Sequence, residues 1–203
     1  LLHNQRNVPK TYKQFNWLVA KTWYFKAMKM QNLGAQFPSL ELKASVVTIG
    51  NFDGLHIGHR RLLEMLSKMA TSKSLPMVVM TFEPHPMKFF QKSGERKRLF
   101  SIEDLAEQLR TLNVDYFLIQ KFDENFANIS ALEFLEKRLI AQLGMKGLVV
   151  GDDFCFGKNR QGDIEFLKKA SVNKNFDLTS CEEVLWKGER VSSTAIRKKL
   201  IEG

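Results

Sequence analysis

Residues Ser45–Ile49 read S-V-V-T-I, and residues Gly50–His59 read G-N-F-D-G-L-H-I-G-H. A patterned segment follows, with Leu62, Leu63, Leu66, Met69 and Ala70 spaced along one helical face. An apolar run, a glycine-rich turn and a 3.6-period pattern together predict strand, tight loop and helix start. Gly50, Gly54 and Gly58 permit tight backbone and close approach by a ligand. His56 and His59 are three apart, so both can face one space at the helix mouth. A helix N-terminus carries unsatisfied N–H groups and positive partial charge, which suits phosphate. The stretch is not a P-loop, because no Gly-Lys-Ser/Thr follows, and it is not G-x-G-x-x-G. Zinc would need further ligands beside the two histidines, and no third stands nearby at metal-site spacing. A plain loop with surface histidines leaves Asp53 and three adjacent glycines unexplained.

The chain has 203 residues, enough for one good core with a small appendage. Its 44% hydrophobic and 26% charged residues are those of a globular protein. No apolar run reaches membrane-spanning length, and residues 1–30 lack a compact apolar signal core, so no membrane partner is expected. Two cysteines, Cys155 and Cys181, are too few for a disulfide scaffold, which makes the cytoplasm the expected location. The net charge is +9. Residues 1–43 hold seven Lys/Arg against one acid, Glu41, and so carry most of it. The rest is only slightly basic, which fits an enzyme of polyanionic nucleotides and argues against a nucleic-acid partner. Residues 1–43, with an aperiodic cluster of Trp17, Leu18, Val19, Trp23, Tyr24 and Phe25, read as an N-terminal extension without catalytic role.

From Ser45 the organisation is regular. Met77 to Phe82 predicts a second strand, followed by an exposed basic loop with Lys92, Arg96, Lys97 and Arg98. Ser101 and Asp104 form a capping-box pattern before a helix with Leu105, Leu109 and Leu112 inside. Asp115 to Gln120 is a third strand. Ser130 and Glu133 open another helix, with Leu132, Leu135, Leu139 and Leu143, which Gly144 ends. Lys146 to Gly151 is a fourth strand. Alternating strands and helices predict an α/β fold, a Rossmann-like parallel sheet with right-handed crossovers.

Ligands in such sheets sit beyond the carboxyl ends of the strands. The unusual residues fall there. One strand ends in Gly50–His59, another in T-F-E-P-H-P (Thr81–Pro86), another in G-D-D-F-C-F-G (Gly151–Gly157). Near the end of the chain, V-S-S-T-A-I-R (Val191–Arg197) opens a helix with Ile196, Leu200 and Ile201 on one face. Ser and Thr there are ordinary N-caps. The same geometry offers hydroxyls and N–H groups to phosphate, with Arg197 one turn on.

These motifs resemble those of a known family. G-N-F-D-G-L-H-I-G-H looks like the H-x-G-H signature of the nucleotidylyltransferase superfamily. Its fuller form resembles the prokaryotic bifunctional riboflavin kinase/FMN adenylyltransferases, also called FAD synthetases. T-F-E-P-H-P resembles their T-F-x-P-H-P segment, V-G-D-D-F-C-F-G-K-N-R-Q-G-D their V-G-x-D-F-x-F-G-x-x-R-x-G-D segment, and V-S-S-T-A-I-R the I-S-S-T-x-I-R motif with Val191 for Ile. The likeness covers about residues 44–203.

The resemblance implies an FMN adenylyltransferase domain at 44–203, converting FMN and ATP to FAD and pyrophosphate. It implies that His56, His59 and Arg197 are catalytic. ATP would be bound by these three with Gly50, Asn51, Phe52, Asp53, Gly54, Ser193 and Thr194. The flavin would lie among Phe82, Pro84, His85, Pro86, Asp153, Phe154, Phe156 and Arg160, with phenylalanines as ring faces and Asp153 at the edge. Mg²⁺ would bridge phosphate oxygens with few protein ligands, none of which is assigned. The family's riboflavin kinase domain follows the last motif, and this sequence stops at Gly203, so the kinase is expected to be absent. Two readings stay open: another phosphorylated acceptor, such as phosphopantetheine or nicotinate mononucleotide, or a non-catalytic flavin- or nucleotide-binding module.

Overall fold

The computed structural model describes residues 27–34, 41–90 and 98–202. The aromatic cluster Trp17–Phe25 and the loop residues Lys92, Arg96 and Lys97 lie outside the described residues.

Six parallel strands form one sheet in the order β1-β4-β3-β2-β5-β6. They are β1 (Lys29–Leu33), β2 (Ser45–Ile49), β3 (Met77–Glu83), β4 (Tyr116–Lys121), β5 (Met145–Gly151) and β6 (Asp177–Cys181). The central strands are near-continuous apolar runs because both faces are covered. On one face Val47, Ile49, Val78, Met80, Leu118 and Val150 pack with Leu135, Leu139 and Leu167. On the other, Val46, Val79, Phe117 and Val149 pack with Leu62, Leu66, Leu105 and Leu109.

The helices are α1 (Ile57–Lys73), α2 (Pro86–Phe90), α3 (Ile102–Thr111), α4 (Glu124–Ala127), α5 (Ala131–Glu133), α6 (Ile164–Lys174) and α7 (Ser193–Glu202), of which α1, α3, α6 and the continuation of α5 supply these partners. α5 runs on as a π-wound segment, Phe134–Gln142. A small hairpin, β7 (Leu185–Trp186) and β8 (Glu189–Arg190), precedes α7. The capping box at Ser101 and Asp104 is formed in both directions. At the other expected box, the Ser130 hydroxyl accepts from the Glu133 amide at 3.1 Å.

Several expectations need correction. Within the stretch expected to be an extension of uncertain structure, β1 forms and pairs with β4 from Lys29↔Tyr116 to Leu33↔Gln120. Leu132 faces solvent rather than the core. Leu200 and Ile201 are 70% and 85% exposed, so the apolar stripe assigned to α7 does not pack on the sheet. Arg98 is not a solvated loop residue. Its side chain is only 15% exposed and donates to the Phe82 carbonyl at 2.6 Å while pairing with Glu83 at 2.8 Å.

The strand order places the site. From β2 the chain moves through β3 to β4 on one side, then crosses to β5 and β6 on the other. The carboxyl ends of β2 and β5 therefore flank the point where direction reverses, where open α/β sheets bind ligands.

Candidate active site

A cavity of about 970 Å³ opens at this switch point. It is large enough for two nucleotide-sized ligands side by side, at the upper end of ordinary ligand sites. The loop from β2 into α1 forms one wall. Phe52 and Leu55 adopt left-handed backbone, with φ of 47° and 37°, and both side chains are buried. Such conformations are costly for bulky residues and cluster at functional sites. The buried side chains act as plugs that hold the loop in this shape.

His56 is the N-cap of α1, and its side chain makes no capping bond to the helix. The His56 and His59 rings stack at 3.7 Å between centroids, and Phe52 lies against His59 at 5.4 Å. Both Nδ1 atoms are buried without a hydrogen-bond partner among the described residues. Burial pushes the His59 pKa down to about 3, with His56 adding to the effect. Burial also lowers His56; Asp53 opposes the shift and Arg190 adds to it. Both rings are therefore neutral near pH 7. Two half-buried polar rings at a helix N-terminus suit an anion that can accept from them.

The first turn of α7 forms the adjoining wall, with Ser193, Thr194 and Arg197 on the cavity. Gly50, Asn51 and Phe52 line it from the β2 side. Asp53 and Gly54, expected at the adenine side, do not line it. Asp53 is 1% exposed and sits behind the loop. Its carboxylate accepts from the Leu99 amide at 2.7 Å and the Phe100 amide at 3.3 Å, and pairs with the Arg197 guanidinium.

The far end is aromatic. Phe82, His85 and Pro86 line it from the exit of β3, while Pro84 does not. Phe154, Phe156 and Arg160 line it from the exit of β5, where Phe154 and Phe156 stack at 5.4 Å. Phe156 also packs edge-on against Phe166 and belongs to the core. Asp153 lines the cavity, but its carboxylate is engaged by Arg190, which also reaches Glu183 at 2.7 Å.

The sequence reading misses Phe122, Phe126, Phe89 and Arg190, all on the cavity wall. Phe122 touches the rings of Phe82, Phe89, Phe90 and Phe126, and so sits at the centre of the aromatic end. It follows β4 directly, so the strand-end rule applied to β4 would find it. Arg190 stands immediately before the last motif. Among the described residues no group of three or more His, Cys, Asp or Glu side chains is arranged to hold a metal ion. None of the described helices is long and apolar enough to cross a membrane.

Comparison with known proteins agrees with this architecture. The chain is 43% identical over 155 residues to the bifunctional riboflavin kinase/FMN adenylyltransferase of Escherichia coli K12, covering 76% of this chain and 50% of that protein. It is 40% identical over 163 residues to the protein of the same name from Pseudomonas fluorescens, covering 79% and 51%. The chain thus spans about half the length of the curated relatives it matches. A solved structure described as a macrolide-efflux protein from Streptococcus pneumoniae superposes with a TM-score of 0.75 at 26% identity, covering 87% of this chain and 59% of that one. Pantothenate synthetase from Thermus thermophilus shares the fold, with a TM-score of 0.53 at 15% identity, covering 85% and 70%. The FAD synthetase family model matches residues 39–195, spanning the strands, loops and helix start that build this cavity, and the chain belongs to the FAD synthetase family.

Proposed function

We propose that this chain is an FMN adenylyltransferase, the adenylyl-transferring module of a bifunctional riboflavin kinase/FAD synthetase. One observation carries the reading: a single cavity joins a phosphate-type end, His56, His59 and the start of α7, to an end walled by Phe82, Phe122 and Phe154. The first end suits triphosphate, and the second suits a flat tricyclic ring. Family membership supports the same assignment.

In this reading a phosphate oxygen of FMN attacks the α-phosphorus of ATP in line. The new P–O bond forms as the bond to the β-phosphate bridging oxygen breaks, giving FAD and pyrophosphate. The attacking oxygen is already anionic, so no general base is required. The protein contributes positioning and charge stabilisation. His56 and His59 donate to the phosphates. Ser193, Thr194 and Arg197 hold the β- and γ-phosphates and stabilise the charge that leaves with pyrophosphate. Mg²⁺ accompanying ATP would neutralise charge on the phosphates, and no residue of this chain is assigned to hold it.

The test is incubation with ATP, Mg²⁺ and either FMN or 4′-phosphopantetheine, read by chromatography. FAD from FMN is expected. Product only from phosphopantetheine would replace the acceptor, and binding without product from either would make the chain a non-catalytic module.

A further inference from the structure

The structure assigns Asp53 a positioning role: it joins the histidine loop to α7 and aims Arg197 into the cavity. The assignment rests on the adenylyltransferase reading and adds to it a residue that touches neither substrate.

Asp53 is held at both carboxylate oxygens. One takes the amides of Leu99 and Phe100, and the other takes the Arg197 guanidinium. Its backbone carbonyl accepts from the Ser193 hydroxyl at 2.7 Å. Arg197 in turn donates to the Ser193 carbonyl at 3.2 Å. Segments 140 residues apart in sequence are thus tied through one buried residue.

A carboxylate so buried is tolerated only when paired and fully hydrogen-bonded. The two amides of residues 99 and 100 fix the carboxylate from behind, so the charge cannot follow a moving partner. The loop is also wedged from that side: a side chain at Gly54, whose φ is +80°, would bring its Cβ to 2.7 Å from Leu99 Cδ1. Arg197 lines the cavity while Asp53 stands behind it. The guanidinium fork is planar, so a bond on one side sets the plane presented to a phosphate on the other. Asp53 therefore fixes the orientation of the charge that meets the leaving pyrophosphate, and holds Ser193 level with the histidines.

The test compares Asp53→Asn and Asp53→Glu with the wild-type chain, varying ATP and FMN in turn. Asn keeps an acceptor for the two amides but removes the charge facing Arg197. Glu keeps the charge and displaces it by one methylene. Each variant should raise the KM for ATP and lower kcat, each by about tenfold or more, while the FMN dissociation constant stays within about threefold. Adding Arg197→Lys to Asp53→Asn should cost far less than Arg197→Lys does alone, because the two act as one unit. A purely structural role would weaken ATP and FMN alike. Unchanged ATP kinetics, equal effects on both substrates, or additive double-variant losses would overturn the assignment. If neither variant folds, the carboxylate serves the fold and the assignment also fails. A wild-type chain that makes no FAD would overturn the adenylyltransferase reading itself, a distinguishable result.

Discussion

The imidazoles of His56 and His59 lie face to face, 3.7 Å between centroids and 18° from coplanar. Two positive rings at that distance would repel, and burial adds to the cost, so the unliganded pair is neutral. If the rings meet the triphosphate as proposed, each supplies a donor to charge that develops on the phosphates. His59→Ala should lower kcat by about 10²–10³-fold, the scale of one lost transition-state donor. FMN binding should hardly change. Turnover near the wild-type value would remove His59 from the mechanism.

The same burial makes stability depend on pH. An unfolded histidine has a pKa of about 6.5, whereas His59 in the fold is lowered to about 3. Between these values the unfolded chain binds the extra proton and the folded chain does not. Stability is therefore retained above pH 6.5 and lost as the pH falls toward 3. His59→Gln has no such proton to bind. The stability difference between the two proteins should shift toward the variant by on the order of 2 kcal/mol between pH 7 and 4.5. Denaturant midpoints at the two pH values check this, and an unchanged difference contradicts it.

Arg197 offers a bidentate grip that lysine cannot copy. Arg197→Lys should raise the KM for ATP and lower kcat, a loss of about 2–4 kcal/mol of transition-state binding, with the FMN dissociation constant within a few-fold. The competing view, a solvated helix residue, fits poorly with a side chain only 16% exposed and paired to Asp53. Steady-state kinetics with each substrate varied separates the two, since an effect confined to FMN would exclude the phosphate role.

Phe122 should mark the opposite end. Its ring makes edge contacts with Phe82 at 5.8 Å and Phe89 at 5.4 Å. Phe122→Ala should weaken FMN binding by about tenfold through lost aromatic packing, and lower stability by about 2 kcal/mol or more. ATP kinetics at saturating FMN should stay within a few-fold. Flavin fluorescence titration reads the first effect; a wild-type FMN affinity would move the flavin elsewhere in the cavity.

The parts of the fold legible in the sequence are those whose pattern is set by local physics. β2 to β5 are apolar because both faces are covered, and the box at Ser101 forms from its own side chains. The elements that escape have thin patterns. β1 buries only Leu33, and α6 buries only Leu167, so neither shows a clear stripe. The site divides in the same way. The histidines, the strand exits and the start of α7 are legible from their spacing and family likeness. Asp53 falls on the other side of its loop from the one expected, because direction cannot be read from a left-handed turn whose partners, Leu99 and Arg197, are distant in sequence. Phe122 stands at the exit of β4, where the strand-end rule reaches it, but its role as the centre of the aromatic end depends on neighbours from three segments.

β1 carries no site residue, yet it closes one edge of the sheet. It occupies the backbone hydrogen-bonding row of β4 from Tyr116 to Gln120, beside the buried side chains of Phe117, Leu118 and Ile119. A chain trimmed to begin at Ser45 would present that row as an open, apolar sheet edge, which invites strand-to-strand association between molecules. β1 itself, K-M-Q-N-L, is short and mostly polar, the kind of strand that ends a sheet without recruiting another. Its contribution is to the edge of the sheet: it covers a backbone row that β4 would otherwise leave open.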